Sequence, residues 1–194
     1  MHAYLLAGGR SKRMGRSKPD LPFGGSTFLR IVVDAARPVF SAVFAVQRHG
    51  GPALPCVETI FETEHPDTAP IFGVARAIEH AGEKCFVIAV DYPLITSDIL
   101  RFLRDAFAKA QVETLVPMWR GRAQMLCAGY SAGMLPLIRA RIEARRLDLR
   151  GLIEEAGGLL VPEDNLRARF GGEPLMNVNT PAELEEAESH YVRS

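Results

Sequence analysis

Cys85-Phe86-Val87-Ile88-Ala89-Val90 is an unbroken apolar run that ends on Asp91-Tyr92-Pro93-Leu94-Ile95. A strand with one wet face alternates apolar and polar residues, because successive side chains point to opposite faces. A run that is apolar at every position is a strand covered on both faces, as in a parallel sheet between two helical layers. Working outward, shorter apolar runs predict further strands near residues 2–6, 42–47, 57–61, 113–117, 124–130 and 158–162. Helical spacing falls between them. It covers residues 27–37 after the Gly24-Gly25-Ser26 turn, 71–81 closing at Gly82, 98–110, and a basic stretch at 134–146. In the third of these, Ile99, Phe102, Leu103, Ala106 and Ala110 form one stripe, with Ser97 as the expected cap. The last helix opens at Thr180-Pro181-Ala182-Glu183, a capping box with proline at the first helical position. Strands alternating with helices predict an α/β fold, a three-layer α/β/α sandwich on a mostly parallel sheet. Such sheets bind ligands outside the carboxyl ends of their strands, so chemistry is sought just after each strand.

The chain has 194 residues, which reads as a single domain over 1–194. Lys plus Arg is 23 and Asp plus Glu is 23, a formal net charge of zero. That balance excludes a uniformly basic nucleic-acid binder and an acidic disordered tail. No apolar run approaches the ~20 residues needed to span a bilayer. Met1–Ala7 lacks the basic region and the length of a signal peptide. Three cysteines are widely spaced, without a CxxC or Cys/His metal pattern. Cys85 and Cys127 lie in apolar stretches and read as reduced core residues. The expectation is a cytoplasmic protein with neither membrane nor nucleic-acid partners.

After the first strand, Leu6-Ala7-Gly8-Gly9 leads into Arg10-Ser11-Lys12-Arg13-Met14-Gly15-Arg16-Ser17-Lys18. Five of those last nine residues are cationic in a chain of zero net charge. Two adjacent glycines let backbone amides approach a ligand closely. At ~4 Å and an effective dielectric of ~20, each cation–phosphate contact is worth roughly 4 kcal/mol before desolvation. The same arithmetic makes five crowded cations unfavourable without an anion. The spacing is neither GxxxxGK[ST] nor GxGxxG, so this is not a P-loop or a dinucleotide fingerprint. Asp91, at the carboxyl end of the buried strand, is a carboxylate fixed by the sheet yet facing the cleft. Mg²⁺ takes one or two carboxylates and completes its shell with phosphate oxygens and water. Pro93 holds Tyr92 extended, which stiffens the turn. On the far side, Asn177 and Asn179 alternate with Val178, so both amides face one way on a short strand. Trp119, beside Arg120 and Arg122, is open to two readings, stacking on a substrate ring or covering the core. His49, His65 and His80 share no metal spacing and read as surface or loop residues, and His190 as solvated. Arg139, Arg141, Arg145 and Arg146 read as a solvated helix face.

The first loop resembles the LAGGxSxRMGxDK signature of nucleotidyltransferases, and most of all the MobA-like molybdenum cofactor guanylyltransferase group. Ser17 stands where that family commonly has Asp. Val90-Asp91-Tyr92-Pro93-Leu94-Ile95 is similar to the family's xDxPxI stretch, which implies Asp91 as the ligand of Mg²⁺. Glu62 stands where the family has an aspartate contacting the nucleotide. Ala69-Pro70-Ile71-Phe72-Gly73 replaces its GPLAG segment, so base identity is less constrained than reaction type. Asn177-Val178-Asn179-Thr180-Pro181 resembles its NVNTP segment on the acceptor side, and Gln124 matches a glutamine opening the corresponding strand.

The resemblance implies a Rossmann-like sheet of the nucleotide-diphospho-sugar transferase type. It has a nucleotide part at about 1–95 and an acceptor part at about 96–194. It implies Mg²⁺-dependent transfer of GMP from GTP to a molybdopterin-type cofactor, releasing pyrophosphate. Leu6, Ala7, Gly8, Gly9, Lys18, Glu62 and Asp91 would hold the nucleotide. Arg13 and Lys18 would stabilise phosphate charge, and Gln124, Asn177 and Asn179 would hold the acceptor. A cofactor-receiving molybdoenzyme or another cofactor-synthesis protein is the expected protein partner. Three alternatives remain at this point: a cytidylyltransferase for the same cofactor, another small-metabolite nucleotidyltransferase, and a non-catalytic nucleotide-binding adaptor for a molybdoenzyme.

Overall fold

The structure, a computed structural model, describes residues 1–7 and 17–191. Its strands are β1 (Ala3–Leu6), β2 (Pro22–Phe23), β3 (Ser26–Thr27), β4 (Val43–Gln47), β5 (Glu58–Phe61), β6 (Cys85–Ala89), β7 (Thr114–Trp119), β8 (Arg122–Ala123), β9 (Cys127–Tyr130) and β10 (Leu159–Val161). Its helices are α1 (Phe28–Ala36), α2 (Pro70–Ala81), α3 (Ser97–Lys109), α4 (Leu135–Glu143), α5 (Leu149–Ala156), α6 (Glu163–Arg167) and α7 (Pro181–Tyr191). The main sheet runs β10-β7-β9-β6-β1-β4-β5, with β8 paired to β7 off that path. β1 pairs in parallel with both β4 and β6, and β5 with β4, so the strands nearest the first loop all point the same way. β9 runs antiparallel to β6 and to β7. The sheet is therefore mixed but mostly parallel.

Period-2 geometry explains the doubly apolar strands. Ala3, Leu5, Phe86 and Ile88 face the layer built by α1, α3 and α6. Tyr4, Leu6, Cys85 and Val87 face the layer built by α2, α4 and α5. These are the three layers expected. A third cluster, Leu21, Phe23, Phe28, Met176, Val178 and Ala187, ties the β2–β3 hairpin to the segment before α7 and to α7 itself. That small core carries residues 176–179 back to the mouth of the first loop.

Several sequence-based expectations are corrected locally. Gly24 and Gly25, both at positive φ, form the expected turn, but as the tip of the β2–β3 hairpin, and the helix begins only at Phe28 with Thr27 as its cap. Thr96 caps α3, accepting from the Ile99 amide at 3.5 Å, while Ser97 is already helical and donates its hydroxyl to Ala35 O at 2.9 Å. The capping box at α7 forms as expected. Glu183 accepts from the Asn179 and Thr180 amides at 2.7 and 2.9 Å, and its own amide donates to Thr180 Oγ1 at 3.2 Å. Arg141 is not solvated. It is 3% exposed and donates to Asp148 and Glu155, both at 2.8 Å. Arg139 lies on the surface and reaches Glu79 at 3.1 Å. Trp119 is fully buried at the end of β7 and belongs to the core.

Gly129 of β9 sits against the Phe107 ring of α3, in the space where a Cβ would stand. Overpacking at such a site costs about 1–3 kcal/mol. Gly129→Ala should lower unfolding stability by that amount, read as a drop in the urea midpoint at unchanged slope.

Candidate active site

The carboxyl ends of β1, β4, β5 and β6 converge, as parallel pairing requires. Leu6 closes β1, and its carbonyl accepts from the Val90 amide at 3.3 Å, which carries the sheet register just past β6. Asp91 follows. Its carbonyl accepts from the Val178 amide at 2.8 Å, so the strand-end turn is stitched to the segment before α7. Lys18 begins a single 3₁₀ turn, Lys18–Asp20, anchored by buried Pro19.

These three segments meet at one atom. Lys18 Nζ donates to Asp91 Oδ2 at 2.8 Å and to Asn179 Oδ1 at 2.6 Å. The two charged side chains are only 19% and 13% exposed. The end of the cationic loop, the strand-end acid and one asparagine of the far wall therefore share a centre. Asp91 Oδ1 is buried and has no hydrogen-bond partner among the described residues. Gly8, Gly9 and Arg13 lie outside the described residues.

The far wall differs from expectation in its backbone. Residues 177–179 form no strand, yet their alternation holds: Val178 is fully buried and Asn177 is exposed. Gln124 likewise precedes its strand, which begins at Cys127. Gln124 is 8% exposed. Its Oε1 accepts from Tyr92 Oη at 3.0 Å, and its Nε2 donates to the carbonyls of Trp119 and Arg122 at 3.1 and 3.2 Å.

Glu62 stands at the end of β5, and its amide donates to Gln47 O at 2.8 Å. Its carboxylate lies against Gly73 of α2, where an added Cβ would be 3.0 Å from both Glu62 Oε1 and Leu6 Cδ2. Glycine at that position lets Leu6 and Glu62 approach the helix. The cleft beside them, of ≈ 160 Å³, is lined by Arg48, His49, Glu62 and His65 among others. Arg48 carried no motif in the sequence; its position one residue past β4 was the available signal. His65 packs on the Phe72 ring, with centroids 4.0 Å apart. His80 is exposed on α2, with Nδ1 2.8 Å from Tyr4 Oη.

Burial pushes the Glu62 carboxyl above the usual carboxylate range, and the Arg48 charge partly pulls it back. A carboxyl raised in the folded state favours folding fully only below its unfolded value, and that contribution is lost as pH rises through the folded value. Glu62→Gln is neutral throughout and escapes this loss. The variant should melt higher than the parent at pH 8, and the gap should close toward pH 4. A gap of constant size would assign the effect to packing instead. Burial also pushes the Cys85 thiol up to about 12, so it stays protonated; Cys127 is raised in the same way.

A family model described as a MobA-like NTP transferase domain matches residues 3–159. The chain belongs to this family. It is accordingly a nucleotidyltransferase by descent. Relatives from Carboxydothermus hydrogenoformans and Mycobacterium avium, each named "Probable molybdenum cofactor guanylyltransferase", are 28% and 30% identical to it. The matches cover 94% and 93% of this chain and 92% and 91% of theirs. The solved molybdopterin-guanine dinucleotide biosynthesis protein A from Archaeoglobus fulgidus superposes with a TM-score of 0.85 at 23% identity, over 100% of both chains. A 2-C-methyl-D-erythritol 4-phosphate cytidylyltransferase from Thermus thermophilus superposes at 0.67 and 21% identity, over 99% of this chain and 98% of that one. Both have the same fold as this MobA-like chain. Among its described residues, no helix is long and apolar enough to cross a membrane.

Proposed function

We propose that this MobA-like nucleotidyltransferase transfers GMP from GTP to a molybdopterin-type cofactor, releasing pyrophosphate, with Mg²⁺ as its metal. The observation that carries the reading is the meeting of Lys18 with Asp91 and Asn179 at 2.8 and 2.6 Å. A triphosphate bound along the first loop would lie beside Asp91, while an acceptor held by Asn177 and Asn179 would lie across from it. The names of the curated relatives support the choice of both substrates. The donor set suits the metal. Asp91 offers one buried oxygen without a partner among the described residues, and no cluster of three His, Cys, Asp or Glu side chains gathers there among them. One carboxylate, with substrate phosphates and water, is how Mg²⁺ is commonly held. When bound, the metal would neutralise phosphate charge and polarise the α-phosphorus.

The rest falls to the chain's own groups. A phosphate oxygen of the acceptor attacks the α-phosphorus of GTP, the bond from that phosphorus to the bridging oxygen breaks, and pyrophosphate leaves. No covalent enzyme intermediate is required, so positioning and charge stabilisation dominate. Lys18 would turn its ammonium from Asp91 to the phosphates. Arg13 would join it there, and the Gly8 and Gly9 amides would cradle the chain of phosphates. Leu6 and Ala7 would support the nucleoside. Glu62 supports guanine in particular: a carboxylate only accepts hydrogen bonds when ionised, and guanine presents two adjacent donors, whereas cytosine presents a donor beside an acceptor. The product would pass to a molybdoenzyme in the cytoplasm.

Pyrophosphate release across GTP, CTP, ATP and UTP, with and without molybdopterin, tests the reading. Release from GTP that requires the acceptor is expected. Turnover with CTP alone would replace the guanylyl donor, turnover only with a non-pterin phosphate would replace the acceptor, and binding without release would make the protein an adaptor.

A further inference from the structure

A closed circuit of hydrogen bonds surrounds Asp91. Tyr92, 3% exposed, donates its phenol to Gln124 Oε1 at 3.0 Å. The Gln124 amide donates to the carbonyls of Trp119 and Arg122, which hold the β7–β8 turn. Trp119 Nε1 donates to Glu173 Oε2 at 2.9 Å, and the Glu173 carbonyl accepts from the Met176 amide at 3.0 Å. Two residues on, the Val178 amide returns to the Asp91 carbonyl at 2.8 Å. Arg120 braces the same corner by bridging Glu173 and Glu186 of α7 at 2.8 and 2.7 Å.

Both donors of the Gln124 amide and its carbonyl are thus engaged within the protein, in a nearly dry setting. Such a group leaves its partners unsatisfied if it turns toward a ligand, which a buried site resists.

We infer that Gln124 and Tyr92 are positioning residues: they hold the Asp91 carboxylate in register with Asn179, and Gln124 does not contact the acceptor. The inference rests on the transferase reading for its consequence, but not for its geometry. Groups that orient a metal ligand typically change metal affinity by roughly 10–100-fold. Gln124 is then felt at the metal–nucleotide end of the site, although the sequence puts it with the acceptor wall.

The test uses Tyr92→Phe, which deletes one oxygen and keeps the ring, together with Gln124→Met and the double variant. Amide hydrogen exchange at Val178 reads the circuit itself. Mn²⁺ with GTP, followed by electron paramagnetic resonance, reads metal–nucleotide affinity, and steady-state kinetics give the acceptor KM. Each single variant should speed Val178 exchange and weaken Mn²⁺·GTP binding roughly tenfold. The acceptor KM should stay within about twofold, and the double variant should be no worse than the weaker single. A silent Tyr92→Phe, with Gln124→Met raising only the acceptor KM, overturns the inference in favour of a direct contact. Absence of Mn²⁺·GTP binding in the parent protein would instead sink the transferase reading, and Val178 exchange would still decide whether the circuit holds Asp91.

Discussion

Asp91→Asn lowers pyrophosphate release by about 10³-fold or more, on the scale of losing one preorganised charge-stabilising group, in a protein that still unfolds cooperatively. The side chain keeps its shape, so what disappears is the negative charge. That charge stands two residues past β6, with its backbone stitched to Val178. One oxygen holds Lys18 and the other is buried without a partner among the described residues. Both features call for a cation at this point, and among the described residues only Lys18 supplies one. The variant leaves Lys18 with Asn179 as a neutral partner, so the ammonium remains hydrogen-bonded and the fold should survive. The check is a rate measured at saturating Mg²⁺ alongside a thermal melt. A rate within tenfold of the parent, in folded protein, would remove Asp91 from the metal role.

Lys18→Met should cut the transfer rate by about 10²–10³-fold, and its second effect has the opposite sign. In the structure the ammonium sits on one oxygen of the carboxylate whose other oxygen is left for a divalent cation, so its charge opposes a metal there. Removing it lifts that repulsion. Mn²⁺ should then bind the nucleotide-free variant more tightly than the parent, while turnover falls. A residue needed only for folding would weaken both. A residue acting only on the phosphates would leave nucleotide-free Mn²⁺ binding unchanged. An undiminished rate would pass the phosphate role to another cation of the first loop, with Lys12 and Arg16 next in line.

The reading of the sequence reached furthest where the signal is local. The continuous apolar run before Asp91 reports burial on both faces, because side chains alternate with period 2. It led correctly to a sheet covered by helices on either side. The box at Thr180–Glu183 is legible for the same reason: its partners lie three residues apart. Errors arose where distant partners decide. Arg141 has the composition of a solvated helix residue, but α5 brings Asp148 and Glu155 around it. The two asparagines read as a strand because of their alternation, although the stretch pairs with Asp91 through Val178 alone rather than through a ladder. Gln124 stands apart from these: its position assigns it to the acceptor wall, and its hydrogen bonds to Tyr92 and the β7–β8 turn are contacts no spacing reveals.

The chain's local order thus determined the layers, the strand-end location of the acid and the concentration of positive charge after β1, since each depends on neighbours a few residues apart. Only the tertiary structure decided that Lys18 meets Asp91, 73 positions away, and Asn179, 161 positions away. That meeting comes from the parallel pairing of β1 with β6 and from a small apolar cluster that folds the segment before α7 onto the hairpin. Contacts across such separations are chosen by which surfaces bury one another, a property of the whole packed chain.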